Sequence, residues 1–332
     1  MPIAHVRRIE RFRSAPAAVG PGTDGDFTPA RSTLGPRRST AVHAALHALG
    51  VVADPWRDLK AAVRKDVSAG ARKALWDAVA RDGARGEEVD AWYRRVLADA
   101  FGGIALGPGD ALPDTPPEAV PCFGGSDPVS APFLEDHGLL AGGPGVPALH
   151  RVLVALAHAV PVADCPPLPD VCALLLSALP EACVFALARR LVRSGALTEL
   201  RAAPPLPAQA PLRARARALR HAFADVAATH CPAAAARLRA LQLPLADACR
   251  VWFDRFFVGA LPYVTALRVV DTFLVEGAKV LMRVGIALLR AVGPQLAAAR
   301  DAQGALEVLR RRPVAAEPPH ATLGRAFGVP RP

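Results

Sequence analysis

In the stretch DLKAAVRKD, Lys60 and Arg64 stand four residues apart. On a helix that spacing puts both on one face. Two like charges so placed repel, and an anion held between them relieves the cost. The same spacing also suits a plain solvated face. A second concentration of charge lies in RVVDTFLVEGAKVLMRVGIALL, residues 268–289, where Arg268, Asp271, Glu276, Lys279 and Arg283 punctuate an apolar run. A membrane span needs about 18 or more apolar residues with few charges, and each charge is costly in lipid. The run is therefore read as no transmembrane segment. Leu267, Val270, Phe273 and Leu274 recur at helical spacing, as do Val280, Leu281, Val284 and Leu288, with Gly277 separating two helices. The charges are expected on solvent faces or paired across the turn, Glu276 with Lys279 and Arg283 following Lys279 by four.

Other chemistry finds little support. Cys122, Cys165, Cys172, Cys183, Cys231 and Cys249 form no CxxC pair, and the nine histidines are scattered. No zinc spacing results, so buried reduced thiols are expected, with neither metal nor cofactor. His137, His150 and His158 lie near Asp164 and Cys165 in sequence, but general-base work needs a positioned partner. No phosphate loop of the G-x-x-x-x-G-K-[ST] form occurs.

The elements that must position these residues read as helices. The 332 residues are 52% hydrophobic but only 5% aromatic, with a mean hydropathy of +0.23, which suits a helical core of small and aliphatic side chains. Forty Lys and Arg against thirty Asp and Glu leave a formal charge of +10. That balance favours anionic partners, or it follows from Arg-rich, GC-biased composition. Nucleic acid is excluded as a partner on the lack of aromatic stacking platforms and of known motifs. In MPIAHVRRIERFR, Ile3, Val6, Ile9 and Phe12 alternate with arginines, as in an amphipathic basic helix or a frayed tail.

Residues 1–40 are expected to be disordered and basic, 41–200 a helical first lobe with an irregular loop at 102–147, 201–218 a Pro-rich linker, and 219–332 a second helical lobe and tail. Asp-Pro at 54–55 marks a helix start, and glycines close the helices that follow. No fixed-period repeat appears. The class is all-α, in two lobes.

From Trp252 to Leu289 the pattern W-x-x-x-F-F-x-x-x-L-P, then R-V-V-D-x-F-L-V-E-G-x-K-V-L, resembles the C-terminal lobe of the TBC (Rab-GAP) domain. Phe273 to Gly277, Cys165 to Leu176 and the closing LGRAF at 323–327 are similar to the Skywalker branch of that family. The likeness covers roughly residues 55–330, with 102–147 and 201–218 poorly matched. That branch usually carries a TLDc domain, which is absent from this sequence.

The resemblance implies a two-lobed helical TBC domain. Active members supply an Arg and a Gln to a Rab GTPase. Matching the family's Asp to Asp114 puts Pro117 at the Arg position, no Arg stands between Arg95 and Arg151, and Pro166 falls at the Gln position. An arginine finger is worth on the order of 10³ to 10⁵ in rate, so a non-enzymatic member with no catalytic residues is expected. Activation of a Rab GTPase by non-standard residues is the alternative. The resemblance further implies phosphoinositide headgroups bound by Lys60, Arg64, Arg268 and Arg283, with Lys279 a further helper. The expected setting is vesicle trafficking, notably at synapses. The protein is expected to be cytoplasmic and peripheral on vesicle or plasma membranes, with small GTPases of the Rab or Arf type as partners.

Overall fold

The computed structural model describes residues 55–65, 67–81, 86–104, 106, 110, 120–125, 145–160, 162, 164–197, 221–310 and 319–328. The expected disordered start, most of the loop at 102–147 and the whole linker at 201–218 lie outside them. The described chain is helical, and its sole bridge is an isolated contact between Val258 and Leu261.

The first group of helices is α1 (Pro55–Lys65), α2 (Ala69–Arg81), α3 (Gly86–Ala100), α4 (Gly145–Ala159), α5 (Leu168–Leu176) and α6 (Glu181–Arg193). The second is α7 (221–230), α8 (Pro232–Ala240), α9 (Leu245–Ala248), α10 (Arg250–Asp254), α11 (Tyr263–Glu276), α12 (Lys279–Ala298), α13 (Ala302–Arg310) and α14 (Pro319–Phe327). Helix α6 packs on α2, α3, α4 and α5, while α12 packs on α8, α11, α13 and α14. Helix α1 has its main contacts on α11 and α14 of the second group, and α2 also reaches α11.

Helix α11 is the central strut. Every residue from Thr265 to Glu276 is buried. It ends at Gly277, whose φ of 77° and ψ of −165° fall in a region open essentially to glycine alone. Its N–H still donates to the Phe273 carbonyl at 2.8 Å, so the chain breaks and restarts as α12 within three residues. Helix α12 is long and apolar enough to cross a membrane by length and composition, but half of that window is buried within the fold.

The aromatic part of the Trp252–Pro262 pattern is packing. The Trp252 indole donates to the Leu309 carbonyl at 2.8 Å. Phe256 and Phe257 take left-handed backbone (φ 49° and 64°), uncommon for bulky residues, with both rings fully buried. The Phe256 ring meets Phe273 edge-on at 5.1 Å, which seats the turn against α11. Cys165, Cys172, Cys183, Cys231 and Cys249 are buried free thiols, and Cys122 is exposed. Burial pushes the Cys183 thiol up to about 12, against the pull of Arg81.

Candidate functional site

Of the charges in residues 268–289, Lys279 is exposed and Arg283 half-exposed, but Arg268, Asp271 and Glu276 do not lie on solvent faces. Arg268 is 5% exposed, Asp271 0% and Glu276 4%. Ionised groups leave water only when they are paired, and the partners here stand about two hundred residues earlier in the sequence. The expected pairing across the turn does occur, with Lys279 Nζ 3.6 Å from Glu276.

Glu276 is a hub. Arg64, on the last turn of α1, donates Nε to its Oε1 at 2.6 Å and Nη2 to its Oε2 at 2.7 Å. Lys279 and Arg283, on successive turns of α12, approach Oε2 at 3.6 Å each. Burial alone would raise the Glu276 pKa, but the Arg64 hydrogen bond and charge, helped by Lys279 and Arg283, hold it below the usual carboxylate value. The Arg64 guanidinium is raised by the same bond, against burial. Phe327, at the end of α14, lies under both arginines, 5.2 Å from Arg64 and 5.6 Å from Arg283. Three elements thus bring Arg64, Lys279 and Arg283 around one acid, and the cluster keeps a net charge of about +2 by formal count.

Arg268 plays another part. It reaches the carbonyls of Lys65 and of Arg64, the latter at 3.4 Å, closing the C-terminal end of α1. A cation there meets the negative end of the helix dipole. Lys60 lies one turn before Arg64 on α1 and is half-buried. Of the four expected residues, Arg64 and Arg283 therefore meet at one point. Arg268 braces the helix that carries Arg64.

A second ionic joint ties the groups together. Arg72 of α2 donates Nε and Nη2 to the Asp271 carboxylate at 2.9 to 3.0 Å, and the Trp76 indole donates to Oδ1 at 2.9 Å. Burial pushes Asp271 up to about 6, against the opposing pull of Arg72 and Trp76. A third joint runs from Arg255 to Asp170 of α5, at 2.9 and 3.1 Å.

The two places where catalytic fingers would stand are unequally visible. Asp114 and Pro117 lie outside the described residues. Pro166 is buried in the loop before α5. That loop is pressed against residues 122–125: the Cys165 N–H donates to the Phe123 carbonyl at 2.7 Å. A side chain added at Gly125 would stand 2.5 Å from the Pro166 carbonyl oxygen. The loop has neither an amide side chain at position 166 nor room against its neighbour.

Residues 133–297 match the family model of the Rab-GTPase-TBC domain. Over 59 residues the chain is 41% identical to an Emericella nidulans protein described as GTPase-activating, covering 18% of this chain and 5% of that one. Over 39 residues it is 56% identical to Carabin of Mus musculus, covering 12% and 9%. These matches span only a small part of the relatives' lengths. Among solved structures, the flagellar RabGAP TBC domain of Chlamydomonas aligns with a TM-score of 0.62 at 20% identity, over 86% of this chain and 88% of that one. The TBC domain of Skywalker/TBC1D24 from Drosophila melanogaster aligns at 0.55 and 18% identity, over 88% and 91%. The same domain in complex with inositol(1,4,5)triphosphate aligns at 0.54 and 18%, over 89% and 96%. At these identities the structural likeness speaks for the fold.

Proposed function

Taking this chain as a Rab-GTPase-TBC protein over residues 133–297, we propose that it binds phosphoinositide headgroups on membranes and acts in vesicle trafficking without dual-finger GTPase activation. The observation that carries the reading is the convergence of Arg64, Lys279 and Arg283 on buried Glu276. One carboxylate cannot neutralise three cations, and a multiply phosphorylated headgroup supplies the missing negative charge. Arg and Lys clamps suit phosphate oxygens. Lys60 on the preceding turn extends the same cationic face. The inositol(1,4,5)triphosphate complex of the Drosophila domain supports a ligand of this chemistry. Peripheral residence on vesicle or plasma membranes, at synapses among other places, goes with that ligand. A small GTPase of the Rab or Arf type is the protein partner that a TBC domain implies. The loss of GTPase activation is supported by Pro166, which cannot orient water.

The test is cosedimentation with phosphatidylcholine vesicles, with and without a few per cent PI(4,5)P₂. Arg64 also anchors buried Glu276, so its removal mixes binding with folding. Lys60→Ala/Arg283→Ala is the cleaner variant, since the Arg64–Glu276 pair stays. Phosphoinositide-dependent binding that drops about tenfold or more in this variant, the loss expected from about 1.4 kcal/mol, supports the reading. Binding to any anionic vesicle, unchanged by the variant, refutes it. In the same preparation, no acceleration of Rab-bound GTP hydrolysis is expected.

A further inference from the structure

A separate group of arginines borders a cleft of about 710 Å³ between the end of α2, α3 and the end of α6. Arg81, Glu88, Trp92, Arg189, Arg190 and Arg193 line it, over a floor that includes Val89 and Ala186. None of them belongs to the Glu276 cluster, and no relation to the family's fold is needed to see them.

The arginines are not equivalent. Arg81 is held by Asp77 at 2.9 Å and touches the Cys183 sulfur at 3.3 Å. Arg190 donates to the Val79 carbonyl at 3.1 Å. These two are spent on fixing the cleft wall. Arg189 and Arg193 make no ion pair with any described residue. They stand four apart on α6, hence on one face. The Arg189 guanidinium lies 4.5 Å over the Trp92 ring, and its Nε is enclosed without a hydrogen-bond partner. Burial, then the like charge of Arg193, pushes its pKa down. The helix dipole accounts for a cation in the last turn of α6. It does not account for a second one alongside, half-buried on an indole with an unmet N–H.

We propose that this cleft binds a phosphate group, with Arg189 and Arg193 as its clamps and Trp92 as the platform that holds Arg189 in place. Two guanidinium charges without an ion pair among the described residues match a phosphomonoester, which carries about −1.5 to −2 at neutral pH. Planar guanidinium groups can each present two N–H donors to phosphate oxygens. The open cleft admits a free phosphorylated molecule or the headgroup of a lipid.

The test is titration with inorganic pyrophosphate, followed by calorimetry and tryptophan emission. The proteins compared are wild type, Arg193→Gln, Arg189→Gln/Arg193→Gln, Lys60→Ala/Arg283→Ala, and the control Arg94→Gln/Arg95→Gln, which removes two exposed α3 charges. The expected result is a site weakened at least tenfold by the double cleft variant, and partly by the exposed Arg193→Gln alone. It persists in the other two proteins, and its emission change is absent in Trp92→Phe. Equal weakening in the Arg94/Arg95 control, or no weakening in either cleft variant, overturns the proposal. Inositol trisphosphate and PI(4,5)P₂ vesicles, run on the same set, separate a soluble source from a lipid one. Because Lys60→Ala/Arg283→Ala spares this cleft, its failure and that of the proposed headgroup site are read independently.

Discussion

At Glu276, three cations share one carboxylate, but they do not share it equally. Arg64 closes two short hydrogen bonds on a side chain with no exposure of its own, whereas Arg283 stands at 3.6 Å and is 42% exposed. Arg64→Ala removes both strong donors from a buried acceptor, a loss of about 1–3 kcal/mol in folding stability. Arg283→Ala removes a screened, half-solvated charge and is expected to cost no more than about 1 kcal/mol. Urea unfolding of the two variants checks the order; equal losses would mean that Glu276 is not anchored by Arg64. This difference was only half legible in the sequence. The four-residue spacing of Lys60 and Arg64 marked one cationic face, and Lys279 and Arg283 marked another. Nothing local showed that both faces close on Glu276, because Arg64 lies 212 residues from it. Arg268 looked equally suited to a ligand, yet its guanidinium turns to the backbone of α1.

Among the elements, α11 carries the argument, since its two acids join the helices that the long linker separates. Asp271 is the more exposed to test by pH. Its folded pKa of about 6 lies above the ordinary value of about 3.9. Between those values the folded state holds a proton that the unfolded state lacks, so this group adds stability as pH falls from 7 towards 4. Glu276 runs the other way: its depressed pKa gives stability that is full above the ordinary carboxylate range and lost as pH falls below it. From pH 7 to 5, then, the Asp271 contribution is the one that changes. Arg72→Met leaves the Asp271 carboxylate buried with only the Trp76 N–H, which costs about 3–5 kcal/mol at pH 7. Protonation relieves that cost, so the gap in stability between the variant and wild type is expected to narrow at pH 5. Denaturant unfolding at the two pH values measures it, and a gap that does not narrow would rule out a stranded carboxylate. Periodicity placed α11 and its break at Gly277 correctly. Its pairing of Glu276 with Lys279 across the turn also holds, but solvent faces suit only Lys279 and Arg283. Arg268, Asp271 and Glu276 are buried against partners that no local pattern shows.

Over the whole molecule, the helical class and the TBC fold were legible because they rest on local and repeated signals. Glycines and Asp-Pro punctuate the helices, and the Trp252–Pro262 aromatics are recognisable as a set whose rings pack on one another, with Phe256 seating the turn on α11. The way the groups are held together was not legible, for it depends on contacts remote in sequence. Those contacts make a specific claim about cooperativity. Chains of this length often unfold in stages, but the buried apolar residues of both groups form one core cluster. Trp76 is fully buried while bonded to Asp271 across the joint, and α1 packs mainly on the second group. Separating α2 from α11 would strand Asp271 and bare the faces buried between those helices. One cooperative unit is therefore expected. Native-state hydrogen exchange in low urea should bring the slowest amides of α6 and of α12 to the same opening free energy. If α6 opened well below α12, or the reverse, the ionic joints at Asp271 and Glu276 would be fastening two separately stable bodies, and Arg64 would be free to leave Glu276 by lobe movement instead of by ligand competition.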